Sequence, residues 1–277
     1  MFFSTIPFYQ TCNLSLLWGS LLLCLLATVG GSLLRRFRRA DMLPPISIYG
    51  GTSFPTKWDE IGTYSFLLLI FMAYSAVALV QPQMSDAPPQ LTFSSTITNV
   101  VIYIPMLARF YNLPRAAATK HARMSNIFFM GVLAVGGVFI CSLIYELSGL
   151  FEAITTYFNC PKIQAPVKIF LEGDMWSKIW LGISAVVIAP ICEECCFRGF
   201  LYNCIRKHTH AVIAAVLSSL LFAAVHLSLA QFLPLLLFAL AQCYIYERSK
   251  TLVAPMVTHA LFNALALIST LIIPQPI

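Results

Sequence analysis

The sequence predicts an all-α, polytopic transmembrane helix bundle of about eight spans, with a polar site among the C-terminal four helices. Three observations predict it. Of 277 residues, 59% are hydrophobic and only 10% charged, whereas soluble domains run near half apolar and a quarter charged. A larger soluble core would still need a charged surface, while lipid-facing positions can be apolar. The apolar residues are gathered into runs near the ~20 residues that a spanning helix needs. Finally, ionisable residues inside those runs are concentrated in the last third of the chain.

The first expected span is 14–34, followed at once by Arg35, Arg36, Arg38 and Arg39. It lacks a basic n-region and is long for a signal-peptide core, so it reads as a retained anchor. The second is 64–80; a Pro-rich link, 81–90, leads to a third near 96–107, and the fourth is 127–150. These make an N-terminal four-span region, 1–150. A polar insertion, 151–178, reads as a loop or interfacial segment. The C-terminal region, 179–277, holds spans at 179–202, 212–229, 232–246 and 252–272.

The formal net charge of +6 is spread over short basic clusters between apolar runs, with no basic domain. This argues against nucleic-acid binding and reads as a topology signal. With eight spans, the clusters at Arg35–Arg39, Arg115–Arg123, Arg206–Lys207 and Arg248–Lys250 fall on one side. The positive-inside rule makes that side cytoplasmic and puts both termini outside. Of nine cysteines, Cys24, Cys141, Cys192, Cys195, Cys196, Cys204 and Cys243 lie in apolar runs and read as small, buried, reduced residues. Only Cys12 and Cys160 are placed to meet an oxidising compartment. Cys192 and Cys195 form a C-x-x-C without a second pair at zinc-site spacing, so packing is their expected role.

Charges in a spanning helix cost at least ~2.5–3.5 kcal/mol each on insertion scales and need a reason. The fifth span carries Glu193, Glu194 and Arg198, the sixth His226, and the eighth His259 and Asn263. Glu194 and Arg198 are four apart, share a face and can form an ion pair. Glu193 is turned about 100° from Glu194 and can face the bundle interior. Pro190 frees a backbone carbonyl one turn earlier, which suits a kink or opening beside Glu193. Glu146, near a span end, reads as interfacial. Taken singly, a membrane His is a packing residue, the Glu194–Arg198 pair a brace and Asn263 interhelical glue. Together they make a polar pocket, because burying them separately costs far more.

Two chemistries fit such a pocket. A carboxylate can take a proton from water while a His orients that water, and a second His with an Asn can stabilise an oxyanion. Alternatively, Glu193, His226 and His259 are the ligand types of a catalytic Zn2+ site. The soluble zincin motif H-E-x-x-H is absent, so metal ligands would come from separate helices.

The run Glu193-Glu194-Cys-Cys-Phe-Arg198, then Phe222-Ala-Ala-Val-His226, then His259-Ala-Leu-Phe-Asn263 resembles the CPBP family, the CAAX proteases and bacteriocin-processing enzymes, also called the Abi family. Its pattern is E-E-x-x-x-R, F-x-x-x-H and H-x-x-x-N/D on successive membrane helices. The resemblance covers 179–272 and leaves the first four spans unmatched. It implies an intramembrane endopeptidase, similar to the type II CAAX prenyl endopeptidases. Carried over, it makes Glu193 the general base helped by His226, makes His259 and Asn263 the oxyanion donors, and leaves Glu194 and Arg198 in support. It leaves metal-dependent and metal-free mechanisms open. The implied partners are the bilayer and a peptide or protein substrate, lipidated or not, and the compact chain is closer to bacterial members in a plasma membrane. A non-catalytic peptide-binding or immunity-type protein and a proton-coupled transporter are the rival readings. The transporter predicts matched broken helices in the two halves, and no paired pattern is seen.

Overall fold

The computed structural model describes residues 8–38 and 124–272. The expected second and third spans, 64–80 and 96–107, the link 81–90 and the Arg115–Arg123 cluster lie outside them. Every described regular element is a helix, so the chain is an all-helical, polytopic membrane protein.

Helix α1 is Phe8–Arg38, longer at both ends than the apolar run 14–34, because helical hydrogen bonding continues through polar termini. Helix α2 is Met124–Leu147; the expected span to 150 stops there, at a turn through Gly149, whose φ of 75° suits a residue without Cβ. Phe128, Phe129, Ile140 and Ile144 of α2 are exposed, as lipid-facing residues are. Cys141 shares that exposure, against the expectation that it is buried. Glu146 is also exposed, in the last turn of α2.

The polar insertion is not a loop but two short helices, α3 (Leu150–Phe158) and α4 (Ala165–Glu172). Their boundaries are set by Gly149 before α3, left-handed Asn159 after it and Pro166 in the first turn of α4. Helix α5 (175–208) then begins four residues before the expected 179, because Asp174 caps it by accepting from the Ser177 N–H at 2.8 Å. Hydrogen bonds from Ser177 hold the Asp174 carboxyl below the usual carboxylate range.

Helix α5 is not uniform. Ordinary turns at Met175–Ile183 and Ala189–Glu194 alternate with π-helical stretches at Ser184–Ile188 and Cys195–Tyr202. Such stretches re-aim side chains and are frequent at functional sites. The second is stabilised by Asn203, whose Nδ2 donates to the carbonyls of Arg198 and Gly199 and to Tyr246 Oη at 2.8–2.9 Å.

Helix α6 is Ala211–Val225. It stops short of the expected 229, so His226 is its C-cap and not an interior residue. Its fifteen residues rise only ~22 Å at 1.5 Å each. Helix α7 is Phe232–Ser249 and α8 is Val253–Ile272. Four described helices are long and apolar enough to span: Phe8–Gly30, Phe128–Leu147, Met175–Arg206 and Val253–Ile272. The expected spans on α6 and α7 do not reach that standard. Helix α7 instead buries Phe238, Ala239, Gln242, Cys243, Ile245 and Tyr246 among its neighbours.

One core joins the two halves of the chain: Leu17, Leu21 and Cys24 of α1 and Val138 of α2 pack with Phe197, Phe200, Phe222 and Phe238. All nine cysteines are free, including Cys12 and the buried Cys160. Helices α2 and α8 approach closely at Gly131, where a Cβ would lie 2.6 Å from Thr258 Oγ1, next to His259. Small residues let membrane helices approach this closely. Gly131→Leu is therefore expected to part the two helices, costing about 1–3 kcal/mol through overpacking. A lower thermal midpoint in detergent checks it; a wild-type midpoint would mean that the contact is not tight.

Candidate active site

Arg198 of α5, His226 at the end of α6 and His259 of α8 meet around the ring of Phe222, the first residue of the F-x-x-x-H run. The Arg198 guanidinium lies 4.7 Å over that ring. The His226 and His259 rings lie 4.8 and 5.9 Å from its centroid. Phe238 of α7 packs on His259 at 4.9 Å and stacks on Phe262 at 4.3 Å. Aromatic rings thus pack against both imidazoles and the guanidinium.

Glu194 is fully buried and acts as the hub. Its Oε1 accepts from Arg198 Nη1 at 3.0 Å, from His259 Nδ1 at 2.8 Å and from Gln242 Nε2 at 3.3 Å. Arg198, also buried, sends Nη2 to the Ala239 carbonyl at 3.0 Å. The i,i+4 ion pair expected from spacing is present. Glu194, however, does more than offset Arg198. A carboxylate only accepts, so the proton of His259 sits on Nδ1, and Nε2 is left facing the site.

Glu193 is the group that His259 Nε2 faces: its Oε2 lies 3.9 Å away. That oxygen is buried and has no hydrogen-bond partner among the described residues. Glu193 is partly open, at 21% side-chain exposure, whereas Glu194 is at 0%. Adjacent carboxylates on one helix thus have different environments: Glu194 is fully buried with Oε1 bonded three times and Oε2 unpartnered, whereas Glu193 is partly open with its Oε2 unpartnered.

His226 meets this group only through Phe222. Its Nδ1 donates to the Phe222 carbonyl at 2.7 Å, which leaves Nε2 as its basic nitrogen. Asn263 donates one Nδ2 hydrogen to the Ala185 carbonyl at 2.7 Å, beside the first π-helical stretch, and keeps a second hydrogen. As a ligand set for Zn2+, Glu193, His226 and His259 do not fit as they stand. Among the described residues no three His, Cys, Asp or Glu side chains are grouped to hold a metal ion; the Nδ1 bond of His259 to Glu194 leaves its Nε2 open and is the kind of partner a metal-ligating imidazole also has.

Gln242 was not anticipated from the sequence. It is fully buried on α7 and also donates to the Pro255 carbonyl at 2.7 Å, one turn before His259. The signal was there, since a lone amide in the apolar run 232–246 is the same anomaly that singled out His226.

Comparison with known proteins agrees with the motifs. Residues 175–265 match the family model described as type II CAAX prenyl endopeptidase Rce1-like. A relative from Bacillus subtilis, named "Putative membrane peptidase YdiL", is 22% identical over 222 residues, covering 77% of this chain and 88% of its own. No solved structure matches. By family model as well as by motif, the chain resembles the CPBP family, and it is similar to that family's membrane proteases.

Proposed function

We propose that this protein is an intramembrane endopeptidase that cleaves a peptide or protein substrate, prenylated chains included, with water activated by Glu193 and His226. The observation that carries it is the pairing of a free, buried carboxylate oxygen on Glu193 with His259 Nε2, whose other nitrogen is fixed by Glu194. Water is the nucleophile. Glu193 accepts one of its protons while His226 Nε2 orients it, and the oxygen bonds to the scissile carbonyl carbon. The carbonyl oxygen becomes an oxyanion, which Asn263 meets with its spare Nδ2 hydrogen. The proton on Glu193 crosses the 3.9 Å to His259 Nε2 through a bridging water, serves the same oxyanion, and finally goes to the amine nitrogen as the C–N bond breaks.

The orientation that accompanies this reading puts the basic loops in the cytoplasm and both termini outside a bacterial plasma membrane. On a straight helix Glu193 lies thirteen residues from Arg206, ~20 Å below that cytoplasmic end. The π-helical stretches on either side of Glu193 are where access to such a depth would open. The test is cleavage of a quenched peptide library, lipidated and unlipidated, by purified protein in detergent with and without a chelator. Chelator-resistant cleavage is expected. Loss of cleavage with the chelator would replace the metal-free route, and no cleavage of any pool would favour a peptide-binding protein instead.

A further inference from the structure

Helix α6 is separated from α7 by a break in the helical backbone. Residues 226–231, between His226 and the start of α7, are not helical. Leu227 has a φ of 49°, a left-handed conformation that residues with a Cβ rarely hold without outside support. Backbone carbonyls that helical hydrogen bonding leaves unpaired must also find donors elsewhere. Two side chains supply them from far away in sequence. Asn13 Nδ2 of α1 donates to the Leu227 carbonyl at 2.8 Å, and Tyr145 Oη of α2 donates to the Ala230 carbonyl at 3.1 Å. Both are buried, Asn13 at 6% and Tyr145 at 6% exposure. Both belong to helices that precede the matched region 175–265.

We propose that Asn13 and Tyr145 are positioning residues of the active site: by clamping the 227 and 230 carbonyls, α1 and α2 hold the left-handed turn that aims His226. The proposal rests on the peptidase reading for its consequence, although the clamp exists without it. The His226 ring has one fixed nitrogen, bonded to its own helix at the Phe222 carbonyl, and its backbone is the last turn of α6. The direction of Nε2 therefore depends on how that turn ends. If Leu227 relaxed to a right-handed φ, the helix would run on and the ring would rotate away from the Phe222 face. Helix α1 would then be part of the catalytic unit as well as an anchor, which is consistent with its packing through Leu17, Leu21 and Cys24 against α6.

The test uses the full chain in detergent micelles, with Asn13→Leu, which keeps the branched shape and removes the donor, Tyr145→Phe, and the double variant Asn13→Leu/Leu227→Gly. Steady-state cleavage of a peptide that wild type accepts is measured beside hydrogen exchange of residues 226–231. Asn13→Leu is expected to lower kcat by ~10- to 100-fold with KM unchanged, the size of a misplaced catalytic group, and to speed exchange within 226–231. Tyr145→Phe should do the same to a smaller degree. Glycine holds a left-handed φ unaided, so Leu227→Gly should restore much of the kcat that Asn13→Leu loses. A purely structural bond would instead lower folded yield without rescue by glycine, and that result, or a wild-type kcat in Asn13→Leu, overturns the proposal. If wild type cleaves nothing, the peptidase reading fails by itself. The exchange measurement then decides alone: faster exchange confined to 226–231 upholds the clamp, and unchanged exchange removes it.

Discussion

Glu193→Gln is expected to abolish peptide cleavage and leave folded yield unchanged. The substitution keeps the shape of the side chain and removes its basicity. A positioned general base is worth roughly 10²- to 10⁴-fold in rate, so activity should fall below detection for a slow peptidase. Yield should hold because nothing in the fold depends on this charge. Its nearest cation-capable neighbour, His259 Nε2, is 3.9 Å away, beyond hydrogen-bond reach, and Oε2 has no partner among the described residues. Size-exclusion profiles and thermal midpoints of the two proteins, taken beside the cleavage rates, check it. Equal loss of yield and activity would make Glu193 a structural residue and move the general base elsewhere.

The fold was legible wherever lipid dictates composition and illegible where the backbone departs from a straight helix. Runs of apolar residues announced α1, α2, α5 and α8, and their cores fall inside the expected spans. The same signal failed at 227–229, because Leu227 and Leu229 are as apolar as a span but lie in the break after α6. Hydropathy reports where a residue is buried and not which φ it adopts. The helices of the polar insertion, read as a loop or interfacial segment, were hidden for the converse reason: α3 and α4 are set by their boundary residues, Gly149, Asn159 and Pro166, although their faces are mixed. The two π-helical stretches of α5 leave no trace in periodicity over so few residues.

The site was legible within each helix and much less so between helices. Four-residue spacing gave the Glu194–Arg198 pair and the offset of Glu193 from it. It could not give the Glu194–His259 bond, which joins residues 65 apart and depends on how α5 and α8 pack. Treating Glu194 as a counter-charge therefore missed that it also fixes the tautomer of His259. Gln242, Asn203, Asn13 and Tyr145 were passed over because amides and phenols cost less to bury than charges and stand out less in an apolar run. Each of them bonds a backbone carbonyl. In a bundle with a helix break and π-helical turns, those carbonyls are the groups that lack donors.

Arg198→Ala is the complementary case, expected to cost folded protein first and activity as a result. The guanidinium supplies one of three donors to Glu194 Oε1, bonds the Ala239 carbonyl and covers the Phe222 ring. Removing it leaves a fully buried carboxylate supported only by His259 and Gln242. Breaking a buried pair from one side costs ~3–5 kcal/mol, enough to unfold a large fraction of a marginally stable protein. The monodisperse fraction in detergent should drop sharply, and cleavage with it. Replacing both partners, Glu194→Leu with Arg198→Met, removes the charge imbalance, and such apolar replacements are often neutral or stabilising. The double variant should therefore recover yield. It should not recover cleavage, because His259 Nδ1 then has no acceptor and the ring loses the bond that turns Nε2 toward Glu193. A double variant that folds and cleaves at the wild-type rate would reduce Glu194 to a counter-charge, and an Arg198→Ala protein with wild-type yield would mean that the pair is not a brace at all.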